Sequence, residues 1–438
     1  MTTITAADYP VEQARSSEAI SKVWRRLIPF LFVLYIINYL DRINIGFAAL
    51  SMNKDLMLTA TVFGLANSIF YFGYVVCEIP SNLLMVRFGA RIWIARILIS
   101  WGLASAATML VVGPYSLYVV RFFVGVLEAG FVPGVLLYLT YWIPSSHRAR
   151  ANGHLMMAQP VAMALGGAVS GLILEHFNGI FGLQGWRWMF LLEGLPAVVL
   201  GVVAYFYLTD KPKDATWLTE EEKDALAVAV AQKKVVKDDD RPRIPVLKQV
   251  LQPNILLLAV AYFCLVNTIN ANATWIPTIV REVLKAYSLT SVGFITAIPA
   301  ICALILMPIW TRSSDRMQER PWHVIVALAM AAVGWLTVTY FPAPELRLAG
   351  LIFTVSGAFC AMSVFWTLPQ AILSEEARPA GIGLISAVGL LGSAVSPAVI
   401  GVLRDATGSF RAGLFYVAAL LAISAVLIWI VGRSNRAA

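Results

Sequence analysis

Residues 28–50 read IPFLFVLYIINYLDRINIGFAAL, and residues 117–139 read LYVVRFFVGVLEAGFVPGVLLYL. As helices rising about 1.5 Å per residue, both are long enough to cross a hydrocarbon core of about 30 Å. Both also carry ionisable groups near their middle, Asp41 and Arg42 in the first and Arg121 and Glu128 in the second. A charge at membrane depth costs about 3 kcal/mol on insertion scales, so it marks a substrate or proton route more readily than filler. These two stretches therefore decide the fold class and point to where function resides.

Composition extends that reading to the whole chain. Of 438 residues, 59% are hydrophobic and 13% charged, and the mean hydropathy is +0.75. Apolar runs of spanning length recur about twelve times, the first centred near residue 37. Each must be a helix, because an isolated strand leaves its backbone unsatisfied in lipid, and the ten-residue alternation of a barrel is missing. The expected fold is thus an all-α polytopic membrane protein of twelve transmembrane helices.

The net charge of +8 sets topology and does not indicate nucleic acid. With both termini cytoplasmic, about two dozen of the Lys and Arg residues fall in the tails and even-numbered loops, as the positive-inside rule requires. The polar start MTTITAADYPVEQARSSEAI lacks the apolar core of a cleavable signal. Cys77, Cys264, Cys302 and Cys360 lie in apolar stretches without metal-ligand spacing, so they read as packing residues. His147, His154, His176 and His323 are scattered near loops, and no G-x-x-x-x-G-K-[ST] phosphate loop occurs. Neither a metal, nor a cofactor, nor ATP drive is expected.

A long polar interruption at residues 210–252 divides the chain into a tail (1–25), a first six-helix bundle (26–209), a second (253–433) and a short end (434–438). Within the interruption, Thr219 followed by Glu220, Glu221, Glu222 and Lys223 reads as the capped start of a short helix, and Asp238, Asp239, Asp240 and Arg241 as a solvated charge run. The halves resemble each other. Residues 148–171, RARANGHLMMAQPVAMALGGAVSG, align with residues 377–397, ARPAGIGLISAVGLLGSAVSP, so helix five corresponds to helix eleven. VRFGAR at 86–91 occupies the place of DRMQER at 315–320. Two pseudo-symmetric six-helix bundles follow from duplication.

Asp315-Arg316 and the basic residues after them resemble the signature loop of the major facilitator superfamily, G-x-x-x-D-R-x-G-R-R. The first-half copy, with Arg87, Gly89 and Arg91, departs from it by Asn82 at the first Gly and Val86 at the Asp. Within that superfamily, YLDRINIGFA (39–48), YVVCEIPSNLLMVRFGAR (74–91), RFFVGVLEAGFVPGVLLYLTYWIP (121–144), GWRWMFLLEGLPAVVLGV (185–202) and WLTEEEK (217–223) resemble the anion:cation symporter family. The resemblance spans nearly the whole chain. It implies the major facilitator fold, a monomer in the bacterial inner membrane, and uptake of an organic carboxylate with protons. By position, it implies binding and coupling roles for Asp41, Arg42, Tyr74, Arg121, Glu128 and Gln159, and a switch role for the loop residues Arg87, Gly89, Arg91, Asp315 and Arg316.

Rise alone tests whether the charges can meet. Asp41 falls about 22 Å from the cytoplasmic end of its helix and Arg121 about 9 Å from the outer end of its own, which are similar depths; Glu128 lies about 10 Å nearer the cytoplasm. Asp41, Arg42, Arg121 and Glu128 are therefore expected to form a vertical ladder. Arg42 or Arg121 is expected to hold a substrate carboxylate by a two-point contact, while Asp41 and Glu128 carry protons. The other reading of the ladder is a static ion pair between helices one and four, which returns its desolvation cost poorly.

In the second half, Trp366, Thr367 and Gln370 can shape and orient a bound acid. Asn267, Asn270, Asn272 and Thr274 either gate the outer mouth or face water. Where the family commonly reads I-N-S-I-G-N, this chain reads Ile385-Ser386-Ala387-Val388-Gly389-Leu390. Two amides are thus replaced by Ser386 and an apolar group, which points to an acid less hydroxylated than a sugar acid. Glu78 and Glu193 read as locally paired acids. The competing functions are an exporter or exchanger of organic acids and a membrane sensor that does not transport; an enzyme is disfavoured because the buried acids have no nucleophile or metal cluster beside them.

Overall fold

The computed structural model describes residues 9–231, 245–284 and 286–437, and no strand occurs among them. The first helix, α1 (Tyr9–Asp55), is 47 residues long. Eleven further segments are long and apolar enough to span a membrane: α2 (Ala60–Phe88), α3 (Ala90–Leu110), α4 (Pro114–Trp142), α5 (Ser145–His176), α6 (Gly185–Tyr207), α7 (Pro253–Val283), α8 (Leu289–Met317), α9 (Arg320–Tyr340), α10 (Pro344–Ile372), α11 (Arg378–Thr407) and α12 (Arg411–Ser434). Twelve spans were expected from the sequence. The one centred near residue 37 lies inside α1, continuous with the charged turns Glu18–Arg26 that precede it. The charge run Asp238–Arg241 and Lys285 lie outside the described residues.

Helices α1–α6 pack as one bundle and α7–α12 as another, with α2 against α11, α5 against α8 and α1 against α7 joining them. Small residues make those joints. A Cβ on Gly293 of α8 would lie 2.2 Å from the Gly167 carbonyl oxygen of α5, and one on Gly64 of α2 would lie 2.2 Å from the Pro397 carbonyl oxygen of α11. In lipid, where burying Leu against Leu gains little, such backbone contact supplies the dispersion energy of association. These contacts sit in the halves of the helices distal to the face where α1 begins and α12 ends. Toward that proximal face, Gly153 on α5 and Gly383 on α11 meet open space. The bundles are closed distally.

The distal closure is also capped across the bundles. The first amides of a helix have no partner of their own and attract negative charge. Thr59 caps α2 by accepting from the Val62 amide, and Asp405 of α11 accepts from the Ala60 and Thr61 amides at 3.1 and 2.7 Å. Ser288 caps α8, and Glu175 of α5 accepts from the Thr290 amide at 2.8 Å. The two arrangements are related by the duplication, displaced by one helical turn: Glu175 follows Gly171 by four residues and Asp405 follows Pro397 by eight.

Behind α6, a helix at Glu220–Ala231 docks on the proximal part of α1. Its start is the expected capping box, with the Glu222 amide donating to Thr219 Oγ1 at 3.3 Å and the Thr219 amide to Glu222 Oε2 at 3.0 Å. Lys22 of α1 pairs with the same carboxylate. The hydrogen bond from Lys22 and that from the Thr219 backbone hold the Glu222 carboxyl below its ordinary range. A depressed carboxylate gives stability that is complete above its ordinary pKa and is lost as pH falls through the depressed one. Protease cleavage in the 220–231 helix should therefore rise as pH is lowered below about 4, and Glu222→Gln should show that raised cleavage already at pH 7. Separately, each cross-bundle carboxylate contributes about 1 kcal/mol, so Asp405→Asn with Glu175→Gln should raise maleimide labelling of a Thr278→Cys probe roughly thirtyfold, and either alone roughly fivefold.

Candidate functional site

The charged residues of α1 and α4 meet in the first bundle, but not as a single ladder. Arg42 Nε lies 2.5 Å from Glu128 Oε1, which also accepts from Asn38 Nδ2 at 2.8 Å. Glu128 is 1% exposed. Asp41 turns the other way, accepting from Asn44 Nδ2 at 2.9 Å and from the Ser105 hydroxyl of α3. Among the described residues it pairs with neither arginine. The reason is helical: successive residues point about 100° apart, so Asp41 and Arg42 address different neighbours. Arg121 donates from Nη2 to Asn67 Oδ1 of α2 at 3.1 Å and lies face-on to Phe70, 4.6 Å from the ring centre.

Phe70 and Tyr74, one turn apart on α2, form the floor beneath both guanidiniums. Arg42 sits 4.7 Å over the Tyr74 ring and 5.9 Å from that of Phe70. These contacts neutralise part of each charge without consuming its hydrogen-bond donors. Arg42 Nη2, Arg121 Nε, Asn38 Oδ1 and Glu128 Oε2 are buried and have no partner among the described residues. Two donors and two acceptors thus stand unsatisfied around one ion pair. Such orphans are costly, and a polar ligand would relieve them.

The helix break beside Glu128 explains how α4 presents it. Pro114–Glu128 ends there, Gly130 adopts φ +87°, and a second helix runs Phe131–Trp142. That left-handed backbone is open to glycine and strained for other residues, and a Cβ at Gly130 would also strike Ser81. Milder interruptions, with the backbone still right-handed, fall at Met157 in α5 and Trp366 in α10. Gln159, just past the first, donates from Nε2 to the Tyr35 hydroxyl of α1 at 3.2 Å. Trp366, at the other, packs 4.7 Å from the Tyr262 ring of α7, and Tyr262 in turn covers Gly389 of α11. Ser386 lies one turn from Gly389 and is half-buried. Thr367 uses its hydroxyl on the Val364 carbonyl at 2.7 Å, and Gln370 is exposed near the proximal end of α10.

The polar residues of α7 are buried, which removes the reading that they face water. Asn270 is the joint between the bundles: it accepts from the Tyr71 hydroxyl of α2 and donates to Ser393 Oγ of α11 at 2.6 Å. Asn267 donates to the Tyr416 hydroxyl of α12 at 2.9 Å. Tyr71, Asn38, Asn44 and Asn67 were not singled out in the sequence. Asn38 and Asn44 do carry a signal, an amide one turn from Asp41, whereas Asn67 and Tyr71 have no charge within a turn of them in the chain. Glu193 is also not locally paired as expected; it is buried on α6, accepts from Ser170 Oγ of α5 at 2.7 Å, and meets no cation among the described residues.

The switch-loop residues lie on the proximal face. Gly89, at φ +90°, turns the chain from α2 into α3, and the missing first-half aspartate is supplied from elsewhere: Asp210, just after α6, accepts from the Arg91 amide at 2.8 Å. Arg91 lies over Tyr205, and Arg87 over Phe88. Asp315 and Arg316 are exposed. No cluster of three or more His, Cys, Asp or Glu side chains suited to a metal ion occurs among the described residues.

Residues 31–372 and 285–437 match the Major Facilitator Superfamily. The chain belongs to that superfamily. It is 42% identical over 419 residues to a protein of Agrobacterium vitis named "Putative tartrate transporter", covering 96% of this chain and 92% of that one. It is 37% identical to a "Quinolone resistance transporter" of Acinetobacter baumannii, covering 94% and 95%. Its fold matches the inward-facing, occupied crystal structure of a bacterial homologue of the human lysosomal transporter Spinster, with TM-score 0.75, 17% identity and coverage of 94% and 97%. The superfamily member described here is a multi-pass membrane transporter and not an enzyme. Tyr71→Phe removes the inter-bundle bond and strands Asn270 Oδ1, so it should destabilise the distally closed form by about 1 to 2 kcal/mol. A lowered thermal midpoint with more distal thiol labelling is the expected readout.

Proposed function

We propose that this transporter carries a small organic carboxylate across the bacterial inner membrane together with protons, its termini on the cytoplasmic side. The observation that carries the reading is the buried Arg42–Glu128 pair with its unsatisfied donors and acceptors, beside a second guanidinium at Arg121. In that arrangement an incoming carboxylate competes with Glu128 for Arg42. Protonating Glu128 releases Arg42, whose planar donors then bind the substrate carboxylate in two-point fashion. Arg121, over the Phe70 ring, offers a second contact. Charge is conserved in the apolar site throughout, because a proton enters as the anion does.

Gln159, Trp366, Tyr262 and Ser386 complete the proposed pocket toward the proximal face, and the tartrate name of the 42% identical relative supports a short acid. Distal closure fits a carrier that has received its substrate from outside and faces the cytoplasm, the two bundles rocking around the midplane. Outward transport is the second reading, favoured by the resistance-transporter name of the 37% identical relative. Reconstitution separates the two. Vesicles alkaline inside should accumulate tartrate or another acid of a small carboxylate panel, and a resistance phenotype without such accumulation would support the second.

The coupling itself is tested by substitution. Glu128→Gln leaves Arg42 permanently released, so acid counterflow between equal pH compartments should persist while accumulation driven by a gradient of one pH unit falls about tenfold, as expected for the loss of one coupled proton. Arg121→Lys and Arg42→Lys should each weaken acid binding about ten- to a hundredfold, as expected for a lost charge-assisted contact. Gradient-driven accumulation by Glu128→Gln at the unmodified level contradicts the proposal.

A further inference from the structure

Glu193 is a buried acid that the Arg42–Glu128 exchange does not use. It lies eight residues into α6 from Gly185, about 12 Å from the distal end. It is 3% exposed, Ser170 donates to its Oε1, and its Oε2 has no partner among the described residues. α1 brings Asp41 toward it, α5 brings Ser170, and α3 brings the Ser105 hydroxyl that binds Asp41. The charged groups facing Asp41 from the other side are Arg121 and Glu128 of α4. Between the two acids stands Asn44, one turn distal to Asp41. Its Nδ2 donates to Asp41 Oδ1, its side chain lies against Glu193, and its Oδ1 has no partner among the described residues.

We propose that Asp41 and Glu193 share one transported proton across Asn44, which makes Glu193 a second proton-binding residue of the transport cycle, on the distal side of Asp41. The inference rests on the symport reading above. Two neighbouring carboxylates without a bound cation do not both ionise in an apolar bundle, as in paired-aspartate sites. A carboxylate has no donor of its own, whereas a protonated carboxyl has one. A single proton held on either acid therefore supplies the donor that Glu193 Oε2 and Asn44 Oδ1 lack. Asp41 also senses the substrate, because the Arg121 charge acts on it. When Arg121 turns its charge to an incoming carboxylate, Asp41 loses that countercharge and draws the shared proton from Glu193. A proton from the distal water replaces it there, and release follows on the proximal side; no other bond is made or broken.

Infrared spectroscopy of the lipid-reconstituted protein tests the shared proton without any substrate. Unmodified protein at pH 7 should show the C=O stretch of a protonated buried carboxyl; Glu193→Gln should remove it, and Asp41→Asn, which takes away the partner in the shared proton, should shift it. Should Glu193→Gln not fold, Glu193→Asp keeps the acid and should shift the band without abolishing it. A band untouched by change at residue 193 overturns the proposal, as does the lack of any such band in the unmodified protein. In vesicles, Glu193→Gln should accumulate the carried acid about tenfold less under a pH gradient, the equivalent of one pH unit of driving force, with counterflow unchanged. Glu193→Asp should restore most of it. If the unmodified protein accumulates the acid and Glu193→Gln equals it, Glu193 has no part in coupling; if counterflow is lost as well, its role is structural. An unmodified protein that accumulates none of the acids overturns the symport reading first, and this inference with it.

Discussion

An arginine and a glutamate held 2.5 Å apart, the carboxylate buried and the guanidinium largely so, form the constraint on which the rest of this structure depends. Neither charge is stable there alone. Removing one partner of such a pair leaves an uncompensated charge and costs about 3 to 5 kcal/mol, whereas replacing both by apolar groups costs little or nothing. The surrounding structure is organised to keep the pair exchangeable. Phe70 and Tyr74 lie beneath the guanidinium faces while Asn38 holds one oxygen of Glu128, and the other oxygen is left without a donor. Protein donors on both oxygens would fix the pair as a static strut.

The second requirement is that the bundles move without exposing backbone to lipid. Glycine-lined contacts between α5 and α8 and between α2 and α11 bring main chains together through dispersion alone, which permits sliding. Asp405 and Glu175 then fasten the distal ends by satisfying helix amides that no residue of their own bundle reaches. Tyr71, Asn270 and Ser393 form the polar link nearest the charged site. These contacts join opposite bundles, so each must break when the distal side opens, and the carried acid and its protons have to outweigh them.

Much of this was legible in the chain. Apolar runs of spanning length fix helices because lipid offers the backbone no partner, and Asp41, Arg42, Arg121 and Glu128 stood out because each is expensive where it lies. What could not be read was direction around the helix axis. Rise per residue placed the four charges at compatible depths, yet the rotation between Asp41 and Arg42 sends one toward α3 and the other toward α4. Residues that act across bundles were silent for the same reason. Asn270 and Asp405 have ordinary local contexts, and their partners lie 199 and 345 positions away. Glu193 read as a locally paired acid, but its segment stays helical through Gly194 and Pro196 and its partner, Ser170, comes from α5. The first-half loop lacked its aspartate in sequence, and Asp210 fills the place from beyond α6.

The central claim is that a carboxylate enters only as a proton does. Calorimetric titration of the purified transporter with the acid it carries, at one pH in two buffers of different ionisation enthalpy, measures that directly. The account predicts a binding heat that depends on the buffer, with proton uptake from solution, and loss of part of that dependence in Glu128→Gln. A binding heat identical in both buffers would contradict it.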